Sequence, residues 1–197
     1  FNINLDLDMV NYISTNLGSF NNNVRLNNKY DISLLINTSE LDKYAFTREE
    51  IKSKLKLIEV TDSPIKNWLY GRLQFKNEKF LYNKEENYVL ILNLTKTGKI
   101  LGAQKRTFFG DNKYVTYNAS KLHEIFNLEK VPTDIDVLSQ LFGILDINFN
   151  LPITIFEGPF DAFLYNNSIG NTGANKKFPF DLPVRFWFDY DKTGIKK

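Results

Sequence analysis

Three carboxylates in the C-terminal part of the chain have the types and spacing to hold a divalent cation: Glu157, Asp189 and Asp191. Glu157 ends a short apolar run, Ile153 to Phe156, and is followed by Gly158. Asp189 ends a second run, Val184 to Phe188, and Asp191 stands two residues further on. Extended residues two apart point to the same side of the chain, so the two aspartates can face one ion. If the two runs are neighbouring strands, all three carboxylates converge. Like charges held close repel one another, and magnesium (or manganese) relieves that repulsion. Magnesium takes oxygen ligands, usually one or two carboxylates with waters and substrate phosphates. Such a site suits phosphoryl transfer, where the metal activates the attacking oxygen and neutralises the leaving group. Alone, an Asp-x-Asp or a Glu-Gly at a strand end is most often a loop cap or a solvated turn. Both together, in this order and on two short apolar strands, form a much stronger signal.

The elements around these acids read as the opening of an α/β parallel sheet. Ile153 to Phe156 is a buried strand, and a helix follows from Pro159 to Tyr165. Ser168 to Asn171 is a second strand, and Val184 to Phe188 a third. In open α/β sheets, ligands bind beyond the carboxyl ends of the strands, where Glu157 and Asp189 stand. The loop Asn171 to Asn175 could face a phosphate or be an ordinary turn.

Upstream, Thr47 with Glu50 forms a capping box that starts a helix, with Ile51, Leu55 and Ile58 at helical spacing. A second, short helix is capped by Ser63, has Pro64 in its first turn and Trp68 and Leu69 on its inner side, and ends at Gly71. Tyr88 to Leu94 is a buried strand, Thr95 to Gly98 a turn and Lys99 to Phe108 a returning strand, so this is a hairpin. Tyr114 to Tyr117 is a further short strand, and helices cover Ser120 to Asn127 and Thr133 to Leu145. Asn21 to Asn28 reads as a loop. This divides the chain into an N-terminal region without an assigned role (1–60), a basic α+β unit (61–150) and the α/β unit (151–197).

With 197 residues and a formal net charge of +2, overall composition does not announce a nucleic-acid binder. Local distribution says more. Lys96, Lys99, Lys105, Arg106 and Lys113 cluster on the hairpin against one acid, Asp111. By itself this is a solvated hairpin face more often than a binding surface. There is no cysteine, which excludes disulfides and thiolate zinc sites within the chain and leaves a reducing cytoplasm as the default. No apolar run is long enough to span a bilayer, and Phe1 to Val10 lacks the basic start of a signal peptide. The abundance of Asn, Lys, Ile and Phe fits an AT-rich genome and is compatible with a phage gene. His123, the sole histidine, reads as a surface residue of its helix, and Trp68 and Trp187 as core.

The motifs carry a resemblance. Glu157, Gly158 and Asp161 in Phe-Glu-Gly-Pro-Phe-Asp-Ala-Phe, with Asp189, Asp191 and Gly194 in Phe-Asp-Tyr-Asp-Lys-Thr-Gly, look like the two signature motifs of the TOPRIM fold. Primases, topoisomerases, OLD-type nucleases and recombination-mediator proteins share that fold. The resemblance assigns acid-base or metal chemistry to Glu157 and magnesium binding to Asp189 and Asp191. It implies that Gly158 permits the tight turn and that Asp161 has a structural place in the helix's first turn.

Ser63 to Arg72 resembles the short helix near the start of DnaG-type bacterial and phage primase cores. Thr97 to Arg106 is similar to their hairpin, and Asp111 to Tyr114 to the Lys-Tyr element that follows. For that family the implied activity is magnesium-dependent synthesis of short RNA primers on single-stranded DNA from ribonucleoside triphosphates. The resemblance makes Lys105, Arg106 and Lys113 candidate phosphate contacts and Tyr114 a candidate base-stacking residue; strand packing explains Tyr114 as well. A replicative helicase is the implied partner, with no membrane.

Two features depart from the family. A chain without cysteine cannot contain the usual zinc module. The TOPRIM sheet usually continues past the Asp-x-Asp strand, so this portion is expected to be a truncated half and inactive alone. The same carboxylates would serve a TOPRIM nuclease, and a non-catalytic nucleic-acid-binding replisome module is a third reading.

Overall fold

The computed structural model describes residues 39–73, 77–108, 113–172 and 184–187. Residues 1–38, with the predicted Asn-rich loop, lie outside the described residues, as do Asp189, Asp191 and Gly194.

Thr47 opens the first helix, α1 (Arg48–Leu55), through the predicted capping box. Its side chain accepts from the Glu50 amide, and the Glu50 carboxylate takes the Thr47 N–H at 2.7 Å. Lys56 then adopts a left-handed conformation (φ 52°) and stops the helix. Ile58, expected on the helix, therefore falls in a strand, β1 (Leu57–Glu59). Strand β1 starts an antiparallel five-stranded sheet that continues in sequence order with β2 (Phe80–Asn83), β3 (Tyr88–Leu94), β4 (Ile100–Thr107) and β5 (Tyr114–Tyr117). The predicted hairpin is β3–β4, closed by Thr95 and Gly98. Strand β2 is buried at every residue and shows no alternation, so periodicity does not reveal it.

Helix α2 (Lys66–Leu73) lies between β1 and β2 in sequence and corrects two expectations. The Ser63 hydroxyl donates back to the Val60 carbonyl at 2.6 Å instead of capping α2. Gly71 lies inside the helix and does not end it.

Arg48 ties α1 to the sheet. Its Nη2 donates to Glu59 at 2.6 Å and to the Phe80 carbonyl at 2.7 Å, and Nε donates to Glu59 at 3.0 Å. Lys52 adds a contact to Glu59 at 3.2 Å. The Arg48 guanidinium holds the Glu59 carboxyl below the usual glutamate value, with Lys52 assisting against partial burial. A depressed folded pKa contributes stability above the unfolded value and loses it as the pH falls through the folded value. Glu59→Gln should therefore cost on the order of 1 kcal/mol at pH 7, discounted for solvent screening. The deficit should shrink below roughly pH 4.3. Urea unfolding at neutral and acid pH checks this; a deficit constant with pH would remove the ion pair as its cause.

Helix α3 (Ala119–Phe126) matches its expected span within a residue, with Asn118 as its N-cap. Helix α4 (Thr133–Leu138) is much shorter than the expected Thr133 to Leu145. The chain leaves it at Ser139 and forms β6 (Leu141–Phe142). The apolar residues read as helical thus serve partly as a strand. His123, expected at the surface, is 8% exposed. Its ring packs on Phe46, and its two nitrogens lie 3.0 and 3.1 Å from the carbonyls of Glu129 and Tyr44.

The second sheet has the order β6, β8 (Ser168–Asn171), β7 (Ile153–Phe156), β9 (Val184–Trp187). Strand β7 is parallel to both neighbours, as the α/β pattern predicts, and β6 is an unforeseen antiparallel edge. Helix α5 (Pro159–Ala162) is shorter than the expected Pro159 to Tyr165. It sits close to β8 because Gly170 has no side chain; a Cβ there would meet the Pro159 backbone at 2.5 Å. Trp187, expected in the core, is 65% exposed on the terminal strand of this sheet, stacked on Phe156 and Tyr165. Trp68 is partly buried, as its ring contacts with Phe108 and Phe160 require.

Apolar residues join the two sheets. Phe142 and Phe160 pack with Val60, Phe80 and Val89, and Leu101 packs with Ile135, Ile155 and Ile169. At the same junction Asn93 and Gly102 face each other across β3 and β4. The Asn93 Nδ2 lies 3.1, 3.0 and 3.3 Å from the carbonyls of Leu138, Ser139 and Leu141. Gly102 lets the end of α4 approach, because a Cβ there would overlap the Ser139 carbonyl.

Candidate functional site

Glu157 leaves the carboxyl end of β7, the strand flanked by β8 and β9. Phe156, just before it, is level with Gly170 on β8 and Trp187 on β9. The two acid-bearing runs are therefore neighbouring strands, which is the condition for convergence. Where Asp189, Asp191 and Gly194 stand is outside the described residues. Glu157 is partly buried, and its Oε2 is buried without a hydrogen-bond partner. Asp161 lies in the first turn of α5, as expected. Gly158 has an extended backbone (φ −138°), and a Cβ on it would meet nothing within 4 Å. The turn itself therefore does not require glycine, because any residue adopts that conformation.

Strands β4 and β5 supply the opposite wall. Arg106 pairs with Tyr114 and Gln104 with Thr116 across the two strands. Gln104, Tyr114 and Thr116 line a cleft of about 380 Å³ together with Glu157, Asp161 and Thr172. The cleft thus brings together four of the predicted site residues, Glu157, Gly158, Asp161 and Tyr114.

Arg106 is on the same face of β4 as Gln104, since strand residues two apart share a side. Three aromatic rings hold its guanidinium, with centroids at 4.7 Å (Tyr114), 5.4 Å (Phe160) and 5.6 Å (Trp68). Such contacts fix the orientation of a cation. Lys105 points to the other side of β4. Its amine pairs with Glu86 at 2.6 Å and lies 4.0 Å from the centroid of Tyr88. It is separated from the cleft by the sheet. Lys113 is exposed at the start of β5, where its carbonyl accepts from the Thr107 amide at 2.9 Å.

Among the described residues, no three acidic or histidine side chains form a metal cage. The donor set nevertheless fits a hard cation that keeps most of its waters. Glu157 lines the cleft with one carboxylate oxygen left without a partner, and a second carboxylate, Asp161, lines the same space. Sequence reasoning missed Gln104 and Thr116 in the cleft wall and Phe160 under Arg106. Alternation along β4 and β5 was the signal available for the first two, since each lies two residues along its strand from one already singled out, Arg106 or Tyr114.

No protein-family model and no curated protein matches the sequence. Among solved structures, the chain is similar to a DnaG catalytic core, with 13% identity and a TM-score of 0.38; the match covers 81% of this chain and 56% of that one. It is also similar to a DnaG primase catalytic domain bound to single-stranded DNA (13% identity, TM-score 0.30, covering 76% and 51%). A third likeness is to the zinc-binding and RNA polymerase domains of the Aquifex aeolicus primase (15% identity, TM-score 0.36, covering 98% and 51%). The matches span little more than half the length of those structures.

Proposed function

We propose that this chain carries the core of a DNA primase, which joins ribonucleoside triphosphates into short RNA primers on a single-stranded DNA template. One observation carries this reading. Glu157, at the end of a parallel strand and with one carboxylate oxygen left without a partner, lines the same cleft as the Gln104, Tyr114 and Thr116 wall of the basic hairpin. The five-stranded sheet then corresponds to the primase basic subdomain, and the strands from β7 onward to the TOPRIM subdomain.

Glu157, Asp189 and Asp191 would hold magnesium or manganese; β9 runs parallel to β7, and its last residue, Trp187, is level with Phe156, the residue before Glu157. When bound, the ion supplies Lewis-acid activation and charge neutralisation at the reacting phosphate. Glu157 presents the anionic oxygen that anchors or exchanges a proton at the reacting centre. Arg106, oriented by its three rings, offers a fixed positive charge beside the cleft, and Lys113 a freer one. Both would guide a polyanionic strand toward Glu157. Tyr114 is 47% exposed, with Arg106 over its ring, and its ring is the surface on which a template base can stack. Among the described residues no helix is long and apolar enough to cross a membrane. A replicative helicase partner and a cytoplasmic site of action, in a phage-infected host among other settings, belong to the same proposal.

Incubating the full-length protein with single-stranded template, magnesium and labelled ribonucleotides tests the reading. Oligoribonucleotide products support it, and metal-dependent cleavage of the template would assign the same carboxylates to a nuclease.

The basic residues make a second, separable expectation. Arg106→Ala and Lys113→Ala should each weaken single-stranded DNA binding without strong sequence preference. Each lost phosphate contact should lower the salt slope by about 0.7. Lys105→Ala serves as the control, since its amine is engaged by Glu86 on the far face. Fluorescence anisotropy across a salt series gives the comparison. Wild-type affinity and slope in both cleft-side variants would show that these charges are merely solvated.

A further inference from the structure

The wall of the cleft holds a second orphaned oxygen, on a residue that no motif singled out. Gln104 is 5% exposed, and its Oε1 is buried with no hydrogen-bond partner. An unsatisfied buried acceptor is costly, so its retention calls for an explanation. Gln104 sits in the middle of β4, level with Ile91 on one side and Thr116 on the other, so its backbone is fixed by two neighbouring strands. It lines the same cleft as Glu157, whose Oε2 is also buried and unpartnered.

Two residues that line one cleft thus each carry a buried acceptor oxygen without a donor, and an occupant of the cleft that brings donors or positive charge would satisfy both. A phosphate alone does not meet the need, because it carries no spare proton for Gln104 and is repelled by Glu157. A hydrated divalent cation does. Its waters direct their protons outward, and magnesium parts with them reluctantly. The cleft of about 380 Å³ is large enough for an ion with several waters, at roughly 30 Å³ per water.

We infer that Gln104 is a positioning residue for a hydrated divalent cation held at Glu157, its amide oxygen accepting hydrogen bonds from the ion's hydration shell. This rests on the reading of Glu157 as a metal ligand. Gln104 would act from β4, so the ion would link the hairpin sheet to the parallel sheet and fix the distance between the basic wall and the acidic strand end. Outer partners of this kind typically change metal affinity by about 10–100-fold.

Titration of the full chain with Mn²⁺ alone, followed by electron paramagnetic resonance, tests the assignment without any activity assay. Gln104→Met keeps the side-chain length and removes the acceptor; it should weaken Mn²⁺ binding by about tenfold or more. Gln104→Glu retains an oxygen and should bind at least as tightly as wild type. Glu157→Gln should lose the site. Thermal melts establish that each variant is folded, and Gln104→Asn, which withdraws the same amide by one methylene, replaces the methionine variant should that one fail to fold. Wild-type affinity in Gln104→Met, or in Gln104→Asn if it stands in, with loss in Glu157→Gln, overturns the role of Gln104 and leaves the metal site standing. Wild-type affinity in Glu157→Gln, or no binding by the wild-type chain, overturns the metal site itself and the inference with it.

Discussion

Glu157→Gln in the full-length protein is expected to lose primer synthesis by at least about 10³-fold while unfolding at the wild-type midpoint. The substitution is isosteric and removes only the negative charge and the proton-accepting oxygen. The fold should tolerate it, because the Glu157 Oε2 has no hydrogen-bond partner to lose. The reaction should not, because the carboxylate is the described anion at the end of the central parallel strand. Asp189→Asn and Asp191→Asn each remove one anionic ligand and should act mainly by raising the magnesium requirement. A magnesium titration of primer yield separates the two kinds of defect. Unchanged yield in all three variants would sink the site assignment.

The largest structural effect is expected at the junction between the sheets. Asn93 supplies its amide N–H groups to the carbonyls that end α4 and start β6. The last carbonyls of a helix have no intrahelical donor, so Asn93 acts as a cap supplied from another element. Asn93→Leu keeps the branched shape but removes the donors and strands those carbonyls in a buried place, at a cost of about 3 kcal/mol. Gly102→Ala attacks the same contact from the facing strand: its Cβ would overlap the Ser139 carbonyl, and backbone on both sides must shift. A loss of similar size is expected there. The two losses should not add, because both report on one contact. Urea unfolding of the single and double variants measures this. Full additivity would show that the two residues do not share the Ser139 contact.

The elements legible in the sequence are those with a local cause. The Thr47–Glu50 box, the β3–β4 hairpin and the three parallel strands each carry a signal that neighbouring residues produce by themselves. What escaped was set by tertiary pairing. Strand β2 is buried on both faces, and β6 is a two-residue edge that exists because β8 offers it partners. Ile58 keeps helical spacing, yet the left-handed Lys56 redirects it into a strand. His123 is buried because Phe46 and two carbonyls from other segments close around it.

In the candidate site, the motif residues Glu157 and Asp161 lead directly to the cleft, but the hairpin charges divide in a way that charge counting misses. Arg106 and Lys105 are adjacent in sequence and therefore on opposite faces of β4. The same alternation places Gln104 beside Arg106. Reading the strand by face would have found Gln104, although only the packed structure shows that its oxygen is left without a partner.

The most direct measurement is the fate of a γ-labelled ribonucleotide. In template-directed initiation, the 3′-hydroxyl of the first nucleotide attacks the α-phosphorus of the second, and pyrophosphate leaves from the second. The first nucleotide keeps its triphosphate, so the γ-label must stay on the 5′ end of the product. The full-length protein, given single-stranded DNA and magnesium, is predicted to form di- and oligonucleotides that retain this label. The products should disappear with a chelator and in Glu157→Gln. Shortened template with no labelled product, or labelled product undiminished in Glu157→Gln, would contradict primer synthesis at this cleft.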